Sequence, residues 1–388
     1  MSLRTRDGLG GRAAVVGIGA TEFSKDSGRS ELSLAVEAVR AALDDAGLAP
    51  ADVDGMVTFT MDTNPEITVA QASGIGELSF FSRVHYGGGA ACATVQQAAL
   101  AVAAGVAEVV VCYRAFNERS GRRFGSGVQQ REPSAEGAAL GWQLPFGLLT
   151  PASWVAMIAQ RYLHTYGLTP DVFGHVAVTD RRHAARNPAA YFHGKPITLA
   201  DHAASRWIVE PLRLLDCCQE TDGGQAIVVT SVERARDLRR PPAVILAAAQ
   251  GAGRKQEAMT SFYRDELTGL PEMGVVARQL WRTSGLAPSD IDVGILYDHF
   301  TPFVLMQLEE FGFCGPGEAA DFVAADALPL NTHGGQLGEA YLHGMNGIAE
   351  AVRQLRGTSV NQIPGAERTL VTAGTGVPTS GLILGTDG

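Results

Sequence analysis

The stretch NTHGGQLGEAYLHGMNG, residues 331–347, sets Tyr341 and His343 among glycines at 334, 335, 338, 344 and 347. A phenol and an imidazole beside so much permissive backbone can pass a proton to or from a ligand that approaches the main chain closely. The N–H groups around Gly335 and Gly338 could receive an oxyanion or a phosphate. Neither GxGxxG nor GxxxxGK[ST] occurs here, so a nucleotide loop is not supported. A tyrosine packed under the loop and a histidine satisfied by a carbonyl would account for the same residues without chemistry.

Further candidates share the texture. LYDHFTPF (296–303) places Tyr297, Asp298 and His299 at the end of an apolar run through Val293, Ile295 and Leu296. Ligand sites in α/β sheets favour the carboxyl ends of strands, although a capping Asp beside a core aromatic fits as well. Cys92 follows a GGGAA turn at the start of an alanine-rich helix. The positive end of a helix lowers a thiol pKa and favours a nucleophile, whereas most free cysteines are buried and inert. The glycine-rich TAGTGVPTSG (372–381) offers Thr372, Gly374 and Gly376 as donors, and equally reads as a strand-connecting hairpin. Cys217 and Cys218 are adjacent, too close to chelate a metal by themselves. Arg119, Arg122 and Arg123 could meet an anionic ligand tail or simply face solvent.

The elements that would position these residues alternate. AAVVGIGAT (13–21), LSLAVEAVRAALDDAG (32–47) and VDGMVTFT (53–60) read as strand, helix, strand, followed by a helix over 92–105 and a strand over 107–116. From Asn117 the rhythm breaks until DGGQAIVVTS (222–231), then returns with AVILAAAQG, a helix near 272–285, a strand over 292–300, a helix near 302–312, a helix over 348–357 and a strand over 369–376. PADVDGMVTFT and SDIDVGILYDHF occupy matching places after helices ending in DDAGLA and TSGLA. Each is followed by a glycine-rich turn and an alanine-bearing helix, so the pattern predicts a duplicated βαβαβ unit with a long insertion in the first copy. The expected boundaries are an N-terminal half over 1–116, an insertion over 117–207, the rest of that half over 208–241, and a C-terminal half over 242–388.

Apolar residues at 46% and charged residues at 19% describe a chain that buries a large core. A formal charge of -10 argues against a nucleic-acid groove or an anionic membrane as the main partner. Five cysteines, without a CxxC pair backed by a second pair, argue against disulfides and structural zinc. With no apolar signal core at the N-terminus and Gln96, Gln97 and Gly105 interrupting the alanine-rich run, the expected location is the cytoplasm.

Taken in order, YGLTPDVFGHVAVTDRRHAARNPAAYF, PLRLLDCCQETDGGQAIVVTS and GGQLGEAYLHGMNG resemble the sterol-carrier or lipid-transfer branch of the thiolase superfamily. The resemblance spans nearly the whole chain. It implies a five-layered α/β/α/β/α body, an inserted loop domain and a homodimer. It places the nucleophilic cysteine of a thiolase on Cys92, the Asn or His of the NEAF or HDCF motif on Tyr297, the His of the GHP motif on Tyr341, and the second cysteine on or near Thr372. Only the first is kept. Thiolysis needs an activated thiolate, whereas retro-aldol cleavage needs a base for a β-hydroxyl, donors for a thioester enolate and an acid for the α-carbon. Two tyrosines suit the second reaction, helped by His299, Asp298 or His343 because a phenol with a pKa of about 10 is a poor base. Within the branch the chain is similar to the steroid side-chain-cleaving acyl-CoA aldolases of actinobacteria. That similarity implies a 17-hydroxy steroid thioester as substrate, a 17-keto steroid and propionyl-CoA as products, no cofactor beyond the acyl-CoA, and a separate zinc-ribbon/OB-fold partner. A thiolase using Cys92 and a non-catalytic acyl-CoA carrier are the alternatives.

Overall fold

Ser30 starts helix α1 (Glu31–Ala46) by accepting the Ser33 N–H at 3.1 Å, and Gly47 closes it in the left-handed conformation at φ 76°. Between these caps Leu34, Ala35, Ala38, Val39, Ala42 and Leu43 make one buried stripe. The computed structural model describes residues 9–121, 123, 135–257, 262–376 and 378–387. Most of the polar connection after Asn117, including Arg122, lies outside the described residues.

In chain order the strands are β1 (Ala13–Ala20), β2 (Gly55–Phe59), β3 (Phe80–Val84), β4 (Val109–Asn117), β5 (Trp207–Val209), β6 (Leu212–Arg213), β7 (Asp222–Ser231), β8 (Ala243–Gly251), β9 (Val293–Ile295), β10 (Arg368–Ala373) and β11 (Thr379–Thr386). The helices after α1 are α2 (Glu66–Ser73), α3 (Ala91–Ala103), α4 (Ala135–Gln143), α5 (Pro151–Tyr166), α6 (Gly174–Arg186), α7 (Leu199–Ala204), α8 (Val232–Ala235), α9 (Pro271–Ser284), α10 (Thr301–Glu310), α11 (Ala319–Ala324), α12 (Gly335–Gly338) and α13 (Met345–Leu355).

Among the described residues nine strands share one hydrogen-bonded order, β3-β2-β4-β7-β1-β8-β11-β10-β9, while β5 and β6 form a separate ribbon. The order is nearly a mirror about the antiparallel β1–β8 contact. Beyond β9 a parallel bridge from Gly294 to Leu330 stands where the first half has β3. The duplication read from the sequence is therefore present in the topology.

Alternation along each strand builds the layers. On β4, Val109, Val111 and Tyr113 face the cluster holding α1 and α2, while Val110 and Cys112 face α3. On the other half-sheet Leu370 and Ile383 join α9 and α10, while Val371, Leu382 and Leu384 join α3 and α13. The middle layer is thus α3 and α13, flanked by two half-sheets and then by the outer helices, a thiolase-like α/β/α/β/α arrangement. Small residues such as Ala91, Ala93, Ala98 and Ala99 let α3 lie buried between two sheets. Among the described residues the segment between β4 and β7 has no separate core: Tyr162, Phe173 and Val176 share one cluster with Phe303 and Leu305. Among the described residues no helix is long and apolar enough to cross a membrane.

One strand is shorter than the sequence pattern predicts. β9 stops at Ile295 because the next two backbone donors go to side chains: Leu296 N–H to Asn331 Oδ1 at 2.8 Å and Tyr297 N–H to Thr372 Oγ1 at 2.9 Å. Released from the ladder, Tyr297, Asp298 and His299 turn away from the sheet at its carboxyl end.

Candidate active site

Tyr297 reaches this end from β9, and Tyr341 from the turn joining α12 to α13. Their phenol oxygens lie 3.2 Å apart, within hydrogen-bond reach. Both line a cavity of about 1130 Å³ together with His299, His343, Gly87, Gly88, Arg114, Glu118, Cys218 and Gly376. Burial pushes both phenols well above their ordinary pKa of 10.0.

The backbone of Tyr297 is clamped. Thr372 Oγ1 accepts its N–H and donates to Gln307 Oε1 at 2.5 Å, while Gln307 Nε2 donates to the Tyr297 carbonyl at 2.9 Å. Thr372 lies beneath the tyrosine, away from the cavity wall, so it corrects the expectation of direct substrate contact. Gly88 explains the glycine turn before α3, since a Cβ there would lie 1.9 Å from Tyr297 Oη. Gly88→Ala should displace the phenol and lower kcat by on the order of 10² while the melting temperature stays nearly unchanged. Steady-state kinetics beside a thermal melt check this, and an unchanged kcat refutes it.

The His343 imidazole is held in one tautomer. Arg114 Nε donates to His343 Nδ1 at 3.1 Å, and a guanidinium has no acceptor, so a neutral ring carries its proton on Nε2. Burial, then the Arg114 charge and His299, push its pKa well below 6.5, which keeps the ring neutral. The ring stacks on Phe116 at 5.1 Å, and the backbone at His343 has φ 54°, a strained conformation for a residue other than glycine. Arg114 is anchored by Asp62 at 2.9 Å.

His299 packs against Tyr297 with ring centroids 4.7 Å apart, and its Nδ1 has no hydrogen-bond partner among the described residues. Burial lowers its pKa to about 3, so it is a neutral imidazole. Asp298 points the other way. Its carboxylate accepts the Gln336 and Leu337 N–H groups at 2.7 and 2.9 Å, at the start of α12, and pairs with the buried Asp180, both carboxyls being raised chiefly by burial.

That geometry corrects three expectations together. Asp298 is outside the cavity wall and already satisfied. Within the 334–338 turn the Gln336 and Leu337 N–H groups are committed to it, and the Gly334 N–H to the Asn331 carbonyl at 2.7 Å, in place of a ligand oxyanion. Gly335 and Gly338 serve close packing, since a Cβ would fall 2.0 Å from Asp298 Oδ2 or 2.6 Å from the Ala184 Cβ. On the hairpin between β10 and β11 Gly376 lines the cavity, whereas Gly374, at φ 119°, packs against Gly89 and Thr379.

Cys92 departs furthest from expectation. Its thiol is fully buried, lies 3.7 Å from the Val371 carbonyl oxygen and is outside the cavity wall. Burial pushes its pKa up, overriding the helix terminus that was expected to lower it. Cys218, one of the adjacent pair too close to chelate a metal, lines the cavity, and its N–H donates to the His299 carbonyl at 2.9 Å. Of the basic cluster Arg123 reaches the cavity rim, paired with Glu220 at 2.6 Å. Glu118, Arg114, Lys25 and Gly88 are cavity residues that sequence reasoning passed over. Among the described residues no group of three His, Cys, Asp or Glu is placed to hold a metal ion.

Known proteins are similar to this chain in sequence and fold. A profile described as "Thiolase C-terminal domain-like" matches residues 253–386. The chain is 69% identical to the "Steroid side-chain-cleaving aldolase" of Thermomonospora curvata, over 98% of this chain and 99% of that one. It is 68% identical to the "17-hydroxy-3-oxo-4-pregnene-20-carboxyl-CoA lyase" of Mycobacterium tuberculosis, over 97% and 100%. The solved "Ltp2-ChsH2(DUF35) aldolase" superposes with a TM-score of 0.94 at 68% identity, covering 98% of this chain and 99% of that chain. A chain that keeps the thiolase layers, seals the cysteine and sets a tyrosine pair in the cavity, at such identity over its full span, belongs to the steroid side-chain-cleaving aldolases of the thiolase superfamily.

Proposed function

We propose that this chain cleaves a 17-hydroxy steroid carrying a three-carbon acyl-CoA side chain, by retro-aldol reaction, into a 17-keto steroid and propionyl-CoA. The observation that carries this is the phenol pair 3.2 Å apart in a largely apolar cavity, on the positions where the thiolase resemblance expects Asn or His and His. The substrate named for the 68% identical lyase is of this type. In the reaction the 17-hydroxyl loses its proton, the bond between the steroid ring and the α-carbon breaks, and its electron pair passes into the thioester enolate. The His343 Nε2–H is a fixed neutral donor suited to that enolate oxygen, and the Tyr297–Tyr341 pair delivers a proton to the α-carbon. His299 offers a second neutral imidazole beside Tyr297. The acyl-CoA is substrate, and the chemistry is redox-neutral.

The aldolase solved with a DUF35 chain supports a similar separate partner here, and we extend the reading to a homodimer as the catalytic body. Incubating the chain, with and without a co-purified DUF35 protein, with 17-hydroxy-3-oxo-4-pregnene-20-carboxyl-CoA tests the reading by mass analysis. A 17-keto steroid and propionyl-CoA are expected, and intact thioester under both conditions overturns it.

The sealed thiol separates this reaction from thiolysis. Cys92→Ala should retain cleavage within about threefold, because no acyl-enzyme forms. Abolished turnover in that variant with an unchanged melt, or CoA-dependent thiolysis by the wild type, would favour a thiolase instead.

A further inference from the structure

We propose that Glu118 is the general base of the cleavage, the group that takes the proton of the substrate's β-hydroxyl. The proposal rests on the retro-aldolase reading and supplies what the phenol pair lacks. Two phenols raised above 10.0 are weak proton acceptors near neutrality. Asp298 is spent on the α12 amides, His343 Nδ1 is taken by Arg114, His299 is a feeble base, and Cys92 is sealed away.

Glu118 follows the last residue of β4, at the carboxyl end of that strand, where Tyr341 packs on Phe116 with centroids 6.5 Å apart. It is 3% exposed, yet it lines the cavity that holds both tyrosines. Its Oε2 has no hydrogen-bond partner among the described residues. A buried carboxyl oxygen without a donor is costly and rare, and a substrate hydroxyl in the cavity would satisfy it. Thr221 links it to the pair: its backbone amide favours the Glu118 carboxylate, and its Oγ1 accepts the Tyr341 N–H at 2.9 Å.

The charges around Glu118 set its acidity. Burial and then Glu220 raise its pKa well above 4.5, and Arg114 and Lys25 pull it back. Cys218, Tyr297 and Tyr341 face the same space. Lys25 is itself held by the Glu220 carbonyl at 2.6 Å and Gln219 Oε1 at 3.3 Å. A carboxylate with a raised pKa is a better base than an exposed one.

The proton count closes. The Glu118 carboxylate takes the hydroxyl proton as the C–O bond becomes C=O and the ring to α-carbon bond breaks toward the enolate. A phenol of the pair then gives its proton to the α-carbon. The phenolate recovers a proton from the Glu118 carboxylic acid, which returns to carboxylate, so the proton leaving oxygen is matched by the one arriving on carbon.

The test uses the wild-type chain with its partner and the steroid thioester named above. Glu118→Gln should lower kcat on the order of 10² with KM within a few fold and the melt unchanged, and Glu118→Asp should keep part of the rate. Because the active form is the carboxylate, wild-type kcat should fall as pH drops through a value above 4.5, and the glutamine variant should lose that acid limb. A glutamine variant within about threefold of wild type that retains the limb overturns the proposal while leaving the aldolase reading intact. Should the variant fail to fold, wild-type kcat that stays flat down to the ordinary carboxylate range overturns it as well. A wild-type chain that cleaves nothing refutes the aldolase reading itself.

Discussion

Tyr341→Phe and Tyr297→Phe should each lower kcat for thioester cleavage by about 10³, close to 4 kcal/mol of transition-state stabilisation, with KM little changed. Each substitution removes one oxygen and keeps the ring. The Tyr341 ring still packs on Phe116, and the Tyr297 backbone stays clamped by Thr372 and Gln307. A folding defect is therefore not the expected cause, and melting curves should superpose within a degree or two of the wild type. Because the oxygens are 3.2 Å apart and act on one proton path, the double variant should be scarcely slower than either single one. Multiplying effects would mean two independent roles. Near-normal rates in both single variants would sink the acid/base assignment, and product analysis by mass separates that result from a change of reaction.

The legible part of this site was legible because it is local. Tyr297 and His299 sit at the end of an apolar run, and a strand end in an α/β sheet is where ligands gather. The α1 stripe with its Ser30 and Gly47 caps, and the repeat of PADVDG in SDIDVG, carry the duplicated topology in sequence spacing. What spacing cannot carry is which donor meets which acceptor. The Gln336 and Leu337 N–H groups offer themselves to a ligand in the sequence, and in space the Asp298 carboxylate, 38 residues from Gln336, takes them. Cys92 shows the same limit: the helix start was correctly placed, but the half-sheets that seal it lie far away in the chain. Glu118 was within reach of the strand-end rule, since AEVVVCYRAFNE ends on it, and the matching strand of the second copy, β10, leads into the turn that holds Gly376. Reading both copies by one rule finds both walls of the cavity.

Arg114 was the hardest to see, because a charged residue inside a strand of valines gives no hint of its partners. Its side chain is 1% exposed and that of Asp62 0%, and they meet at 2.9 Å. Arg114→Met should cost about 3–5 kcal/mol in urea unfolding, because it leaves the Asp62 charge buried without its counterion. Adding Asp62→Asn should recover part of that loss: Asp62 holds the Ala115 and Asn64 N–H groups through separate oxygens at 3.1 and 2.9 Å, the amide oxygen can keep one of them, and no unpaired charge remains. Activity should not return with stability. Without the Arg114 Nε–H on His343 Nδ1 the ring is free to exchange tautomers and to be protonated, so the fixed Nε2 donor for the enolate is lost in both variants. A double variant that is stable but still slow by on the order of 10² would show that the buried pair serves the imidazole as well as the fold. A double variant that regains both stability and rate would reduce Arg114 to a packing role and remove His343 from the oxyanion site.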